Sequence, residues 1–120
     1  MNLRKRAPRI HPSDAVAALL LVATFAVAVV TYGTVPDAMQ IHYTPPGGVY
    51  YGPETVPKAL GLFAVPVAAT AAFLVARSLP AIWVPEEASP ADLAWYRVAI
   101  VLFVAAMAGV QALLVLLNVL

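Results

Sequence analysis

The chain has 120 residues, of which 62% are hydrophobic and 11% are charged, whereas ordinary soluble domains are about 45–50% apolar and about 25% charged. A water-soluble fold of this length could not hide so much apolar surface, and the lack of cysteine excludes disulfides and thiolate metal sites. A formal net charge of +1 provides no field that would attract nucleic acid. The composition therefore predicts a single domain in a lipid bilayer, an all-α membrane protein.

The first predicted elements are a basic segment, residues 1–14, and an apolar span, residues 15–33. The span carries no charge over about the 20 residues that a helix needs to cross a ~30 Å hydrocarbon core, and we interpret it as transmembrane helix 1. The basic residues before it are Arg4, Lys5, Arg6 and Arg9.

A cleaved signal peptide is the alternative interpretation of this first segment. A basic stretch, an apolar run and the small residues Ala26-Val27-Ala28 fit that pattern in outline. The apolar run continues through Val29 and Val30 without the polar region that usually precedes cleavage. We therefore favour a retained membrane helix.

A long loop, residues 34–58, follows the first span. Connections longer than about 12–15 residues are either functional or disordered, and disordered polar segments lack the aromatic residues that this loop contains. Its prolines stiffen the chain, and Gly47 and Gly48 supply turn geometry. The sequence predicts a long structured loop on the outer surface.

The second span, residues 59–76, contains Pro66 in its middle. A proline there removes a backbone donor and kinks the helix, which membrane helices tolerate when neighbouring groups satisfy the carbonyl left without a partner. Lys58 stands at the start of this span, where a basic side chain is normally an interfacial anchor. An ion pair with Glu54 is the alternative role for Lys58.

A second loop, residues 77–97, leads to a third span, residues 98–120. Ser89 is a good N-cap, Pro90 suits the first helical position and Asp92 suits the positive end of the helix dipole, so this helix is expected to begin before the membrane does. Within the span, Gln111 and Asn118 are seven residues apart on one face. Such polar side chains join helices in lipid.

Small residues predict where the helices pack. They are spaced by three and four residues, which places each set on one helical face. In the second span they include Gly61, Ala68 and Ala72. In the third span they include Ala105 and Gly109, and we expect the polar residue Gln111 to take part in the same packing.

Lysine and arginine near the span ends predict the orientation. The amino-terminal segment has four such residues and the second loop has Arg77 and Arg97, whereas the first loop offers only Lys58. We therefore expect a multi-pass protein of the cell membrane, with its amino terminus in the cytoplasm and its carboxy terminus outside.

The first loop also carries an ordered series of residues that resembles a known family. The series runs Val35-Pro36-Asp37, His42-Tyr43, Gly47-Gly48, Tyr51-Gly52 and Lys58. It resembles the SdpI-like membrane family, which carries a domain of unknown function. In that family a leucine- or valine-proline pair, a histidine with an aromatic residue, a Gly turn and a lysine connect the first two spans. The resemblance covers residues 15–76 and departs from the family at Gln40 and Thr44, where proline and asparagine are usual.

The resemblance implies a multi-pass topology and a loop motif formed by Pro36, Asp37, His42, Tyr43, Gly47, Gly48, Tyr51, Gly52 and Lys58. Some members are immunity proteins that protect a producing cell from a secreted peptide toxin. From the residues alone, His42 is a structural histidine that holds the loop, a contact for a ligand or toxin, or a metal ligand. Its acidic neighbours follow no known metal spacing. Asp37 caps a turn or takes part in chemistry.

Two functions are compatible with this pattern. No nucleophile–base pair, phosphate loop or zinc motif occurs, and no span has an interior charge, so we expect neither catalysis nor a cofactor or metal. The leading hypothesis is binding through the outer loop, as immunity against a peptide toxin or as contact with another membrane protein. The alternative is an accessory subunit of a transporter or other complex, acting through its helices. A second copy of the chain is a further partner to consider.

Overall fold

The described part of the protein is mostly helical and contains three helices that are long and apolar enough to cross a membrane. The computed structural model describes residues 10–41, 55–85 and 87–120. The elements in chain order are α1 (Pro12–Thr31), β1 (Ala38–Gln40), β2 (Thr55–Pro57), α2 (Lys58–Ile82) and α3 (Pro90–Val119). The prediction of three apolar helices of membrane length is confirmed.

Two of the helices begin at capping residues that lie before the apolar run. In α3, the Ser89 side chain accepts a hydrogen bond from the Asp92 amide at 3.1 Å, and the Asp92 carboxylate accepts one from the Ser89 amide at 2.9 Å. In α1, the Asp14 carboxylate accepts a hydrogen bond from the His11 amide at 3.0 Å. Both caps satisfy amides that a helix start leaves without partners, so α1 and α3 extend beyond the predicted spans.

The helices pack around two apolar clusters, each with residues from all three helices. The first is formed by Ala17, Leu21, Ala69, Phe73 and Val104. The second is formed by Ala28, Val35, Met39, Leu62 and Val115, and includes two residues from the segment after α1. The outer faces of the helices expose many large apolar residues, for example Leu19, Val30 and Val75, as expected for surfaces that face lipid rather than water.

Strands β1 and β2 form a short antiparallel ribbon, in which Met39 faces Val56. This ribbon joins the two ends of the predicted loop at residues 38–40 and 55–57. Because residues 42–54 lie outside the described part of the chain, the prediction that the whole loop is structured stays a prediction. The ribbon itself was not anticipated from the sequence.

Helix α2 contains two prolines, and α3 compensates for both of them. Pro66 and Pro80 have no amide hydrogen to donate to the carbonyls of Leu62 and Ala76, four residues earlier. The Leu62 carbonyl instead accepts a hydrogen bond from the Gln111 side chain at 2.7 Å, and the Ala76 carbonyl accepts one from the Tyr96 hydroxyl. These bonds provide the compensation that a proline in a membrane helix requires.

The predicted packing residues divide into two groups. Gly61 and Gln111 are buried and Ala72 is half-buried, whereas Ala68, Ala105 and Gly109 are exposed on the helix surfaces. The exposed three do not pack between helices of one chain, and larger side chains such as Leu21 and Phe73 are among the buried core residues. Contact of these three residues with a second protein stays a prediction.

Candidate binding site at the ribbon

The ribbon end of the helices brings together part of the predicted loop motif. Pro36, Asp37 and Lys58 are described, and Lys58 contacts Asp37. The other predicted motif residues lie outside the described residues, so no statement about their arrangement follows. They are His42, Tyr43, Gly47, Gly48, Tyr51 and Gly52.

Lys58 connects the first residue of α2 to the end of α1. Its Nζ donates a hydrogen bond to the Tyr32 carbonyl at 3.0 Å and lies 4.2 Å from the centre of the Tyr32 ring. A cation is favourable there because the carbonyl end of a helix carries partial negative charge. The cation–π contact adds to this attraction. Lys58 therefore holds two helices together at this end of the molecule.

Asp37 is the acidic partner of Lys58. The Lys58 Nζ lies 3.4 Å from the Asp37 carboxylate, and the Lys58 amide donates to the Asp37 carbonyl at 2.9 Å. The Asp37 side chain is 99% exposed, so water screens the ion pair and it contributes little stability. The alternative partner proposed from sequence, Glu54, lies outside the described residues.

Met39 anchors the ribbon to α2 at Gly61. Met39 is fully buried, and a Cβ atom added at Gly61 would lie 2.8 Å from the Met39 sulfur and 3.0 Å from its Cβ atom. Only a residue without a side chain allows this approach. Gly61, expected to pack against another helix, therefore packs against the ribbon.

Asn118 holds the ribbon from the side of α3. The Gln40 amide donates to the Asn118 side-chain oxygen at 2.8 Å, and the Asn118 side-chain nitrogen donates to the Gln40 carbonyl at 2.9 Å. The amide side chain thus pairs with β1 as a further strand would. The seven-residue spacing from Gln111 indicated a role for Asn118, but nothing in the sequence pointed to Gln40.

An apolar groove of about 540 Å³ lies below the ribbon, between α2 and α3. Val56 of the ribbon and Ile41, the residue after β1, line it on one side, and residues including Leu60, Ala64 and Leu113 line it from the helices. The groove adjoins the point at which residues 42–54 leave and rejoin the described part of the chain. Its surface is suited to an apolar side chain or segment, not to a polar substrate.

At the opposite end of the helices, an ion pair that the sequence did not reveal joins α1 to α2. Arg77 donates to the Asp14 carboxylate at 3.0 Å, and both side chains are at most one-fifth exposed. The two residues are 63 positions apart, so no local pattern could indicate that they meet. A partly buried pair of this kind fixes the relative position of the two helices more firmly than an exposed one.

Within residues 10–41, 55–85 and 87–120, no three histidine, aspartate or glutamate side chains come together as metal ligands would. No protein-family model, curated protein or solved structure matches the chain. The resemblance to the SdpI-like family therefore stays a prediction that depends on the loop residues alone.

Proposed function

We propose that this is a non-catalytic multi-pass membrane protein of the SdpI-like type, which binds an extracellular peptide through its outer loop and the groove below it. The observation that carries the proposal is the attachment of the ribbon to α1, α2 and α3 at once. Lys58, Met39 and Asn118 make these attachments.

This attachment supports a function for the loop beyond linking two spans. A simple tether needs no buried anchor, and the ordering of Met39 and Gln40 carries a cost in conformational entropy. The groove next to the ribbon has an apolar lining, which matches an apolar segment of a membrane-active peptide. Immunity against such a toxin is the form of binding that the family resemblance favours.

The orientation is part of the proposal. With the Lys and Arg excess at the amino-terminal end facing the cytoplasm, the ribbon and loop face outward, where a secreted peptide arrives. The alternative function is an accessory subunit of a membrane complex, in which α2 and α3 contact another helix. The exposed small residues Ala68, Ala105 and Gly109 favour that alternative.

Site-specific photocrosslinking separates these functions. A benzophenone amino acid at position 51, in the loop, is expected to capture a peptide or a membrane protein in intact cells. A probe at Leu19, which is 70% exposed on α1, is the matched control and should capture only lipid. Asn118→Leu removes both bonds to Gln40 and should abolish capture from position 51.

Capture from a probe at Ala105, with none from position 51, would support the accessory-subunit alternative. Capture from position 51 that survives Asn118→Leu would contradict a role for the attached ribbon.

A further inference from the structure

A cleft of about 410 Å³ opens between the start of α1 and the first turns of α3, at the end of the helices opposite the ribbon. Its lining includes His11, Ser13, Ala94, Arg97, Val98 and Val101. His11 and Ser13 belong to the start of α1, Arg97 belongs to α3, and the valines extend along α3 toward the middle of the bundle. One cleft therefore combines a polar end with an apolar end.

Arg97 gives the polar end a positive charge. In the described part of the chain, no hydrogen bond or ion pair joins the Arg97 side chain to another residue, although the residue is half-buried. Asp14 pairs with Arg77, and Asp92 accepts a hydrogen bond from the Ser89 amide. A guanidinium in this position is available for an anionic oxygen.

The start of α1 adds donors to the same end of the cleft. Ser13 is the second residue of the helix, where the amide has no acceptor within the helix and the dipole favours negative charge. Ser13 also lines the cleft, and its hydroxyl makes no hydrogen bond to another described residue. Arg97 and Ser13 thus bring donors from two helices to the lining of one cleft.

We propose that this cleft binds an anionic phospholipid. The phosphate accepts hydrogen bonds from Arg97 and Ser13, and an acyl chain lies along Val98, Val101 and Leu102. A soluble anion would use only the polar end, whereas a membrane lipid matches both. Basic pockets between membrane helices are known to hold lipid headgroups in this way, and the basic segment before α1 adds to the attraction.

The chain offers a fluorescent reporter for this site. Trp95 is 72% exposed and lies next to Ala94, and Trp83→Phe would leave it as the single tryptophan. The purified Trp83→Phe protein is reconstituted in phosphatidylcholine vesicles that contain phosphatidylglycerol. Bromine atoms are placed on the acyl chains of either lipid, at equal mole fraction. Quenching of Trp95 should be stronger when phosphatidylglycerol carries the bromine.

Three substitutions test the named contacts. Arg97→Gln should lower the preference for phosphatidylglycerol about fivefold. Val98→Phe should also lower it, because the ring fills the apolar end without changing charge. Arg4→Gln removes an equal charge from the basic segment and should have a clearly smaller effect. The helical content of each variant is checked by circular dichroism.

An equal preference for phosphatidylglycerol in Arg97→Gln and in the parent protein would overturn the proposal. An equal loss of this preference in Arg4→Gln and Arg97→Gln, with Val98→Phe unchanged, would also overturn the proposal. The anionic lipid would then be attracted by the overall positive charge and not by the cleft. Should Arg97→Gln fail to fold, Val98→Phe and Arg97→Lys decide the question. A bound lipid predicts that Val98→Phe loses the preference for phosphatidylglycerol and that Arg97→Lys nearly retains it. None of these outcomes depends on the function of the outer loop.

Discussion

At the scale of single residues, the contact between Met39 and Gly61 determines whether the ribbon can sit on α2. Gly61→Ala would place a methyl group 2.8 Å from the Met39 sulfur and 3.0 Å from its Cβ atom. The sulfur can move but the Cβ atom moves only with the strand. We expect the substitution to lower the free energy of unfolding by about 1–3 kcal/mol, as overpacking typically does, measured by denaturant titration in detergent.

Gly109→Ala is the matched control, because no atom lies within 4 Å of the added methyl group and alanine favours helix. It should leave stability unchanged or slightly raised. Gly61→Ala should cost less in a Met39→Ala background than in the parent protein, because the contact with the sulfur is then absent while the contact with the Cβ atom remains. A destabilisation by Gly61→Ala that is the same with Met39 or Ala at position 39 would show that the contact with the sulfur is not the cause.

At the scale of elements, α3 supports α2 at its two prolines. Gln111→Leu would leave the Leu62 carbonyl buried without a donor, which costs about 1–3 kcal/mol. The same substitution should cost less in a Pro66→Ala background, because the new amide at position 66 can donate to that carbonyl. A double-mutant cycle of unfolding free energies measures this coupling. Equal costs in the two backgrounds would show that Gln111 does not compensate for Pro66.

The elements also show how far sequence reasoning reaches in this protein. The helices follow from apolar runs, and the start of α3 followed from Ser89 and Asp92, because both signals are local. The sequence predicted that a neighbouring group satisfies the carbonyl that Pro66 leaves without a partner. It did not predict that Gln111 is the donor, because Gln111 lies 49 residues from Leu62. Strands of three residues carry no detectable period, so the ribbon and its bonds to Asn118 emerge only from the fold.

At the scale of the whole molecule, the ribbon and the ion pair between Asp14 and Arg77 lie at opposite ends of a three-helix unit, in a molecule whose longest dimension is 54 Å. A molecule of this length exceeds the ~30 Å hydrocarbon core, so both ends reach the interfaces. The two ends are therefore expected to face different compartments, with the outer loop on one side and the loop between α2 and α3 on the other.

Cysteine labelling tests this central claim most directly, because the chain contains no cysteine of its own. Single cysteines replace Gly48 in the first loop and Ala88 in the second, and an impermeant thiol reagent is added to intact cells. Three crossings with the amino terminus in the cytoplasm predict labelling at position 48 and none at position 88 until the membrane is permeabilised. Equal labelling at both positions in cells with verified membrane integrity would contradict three membrane crossings, and labelling at position 88 alone would invert the orientation.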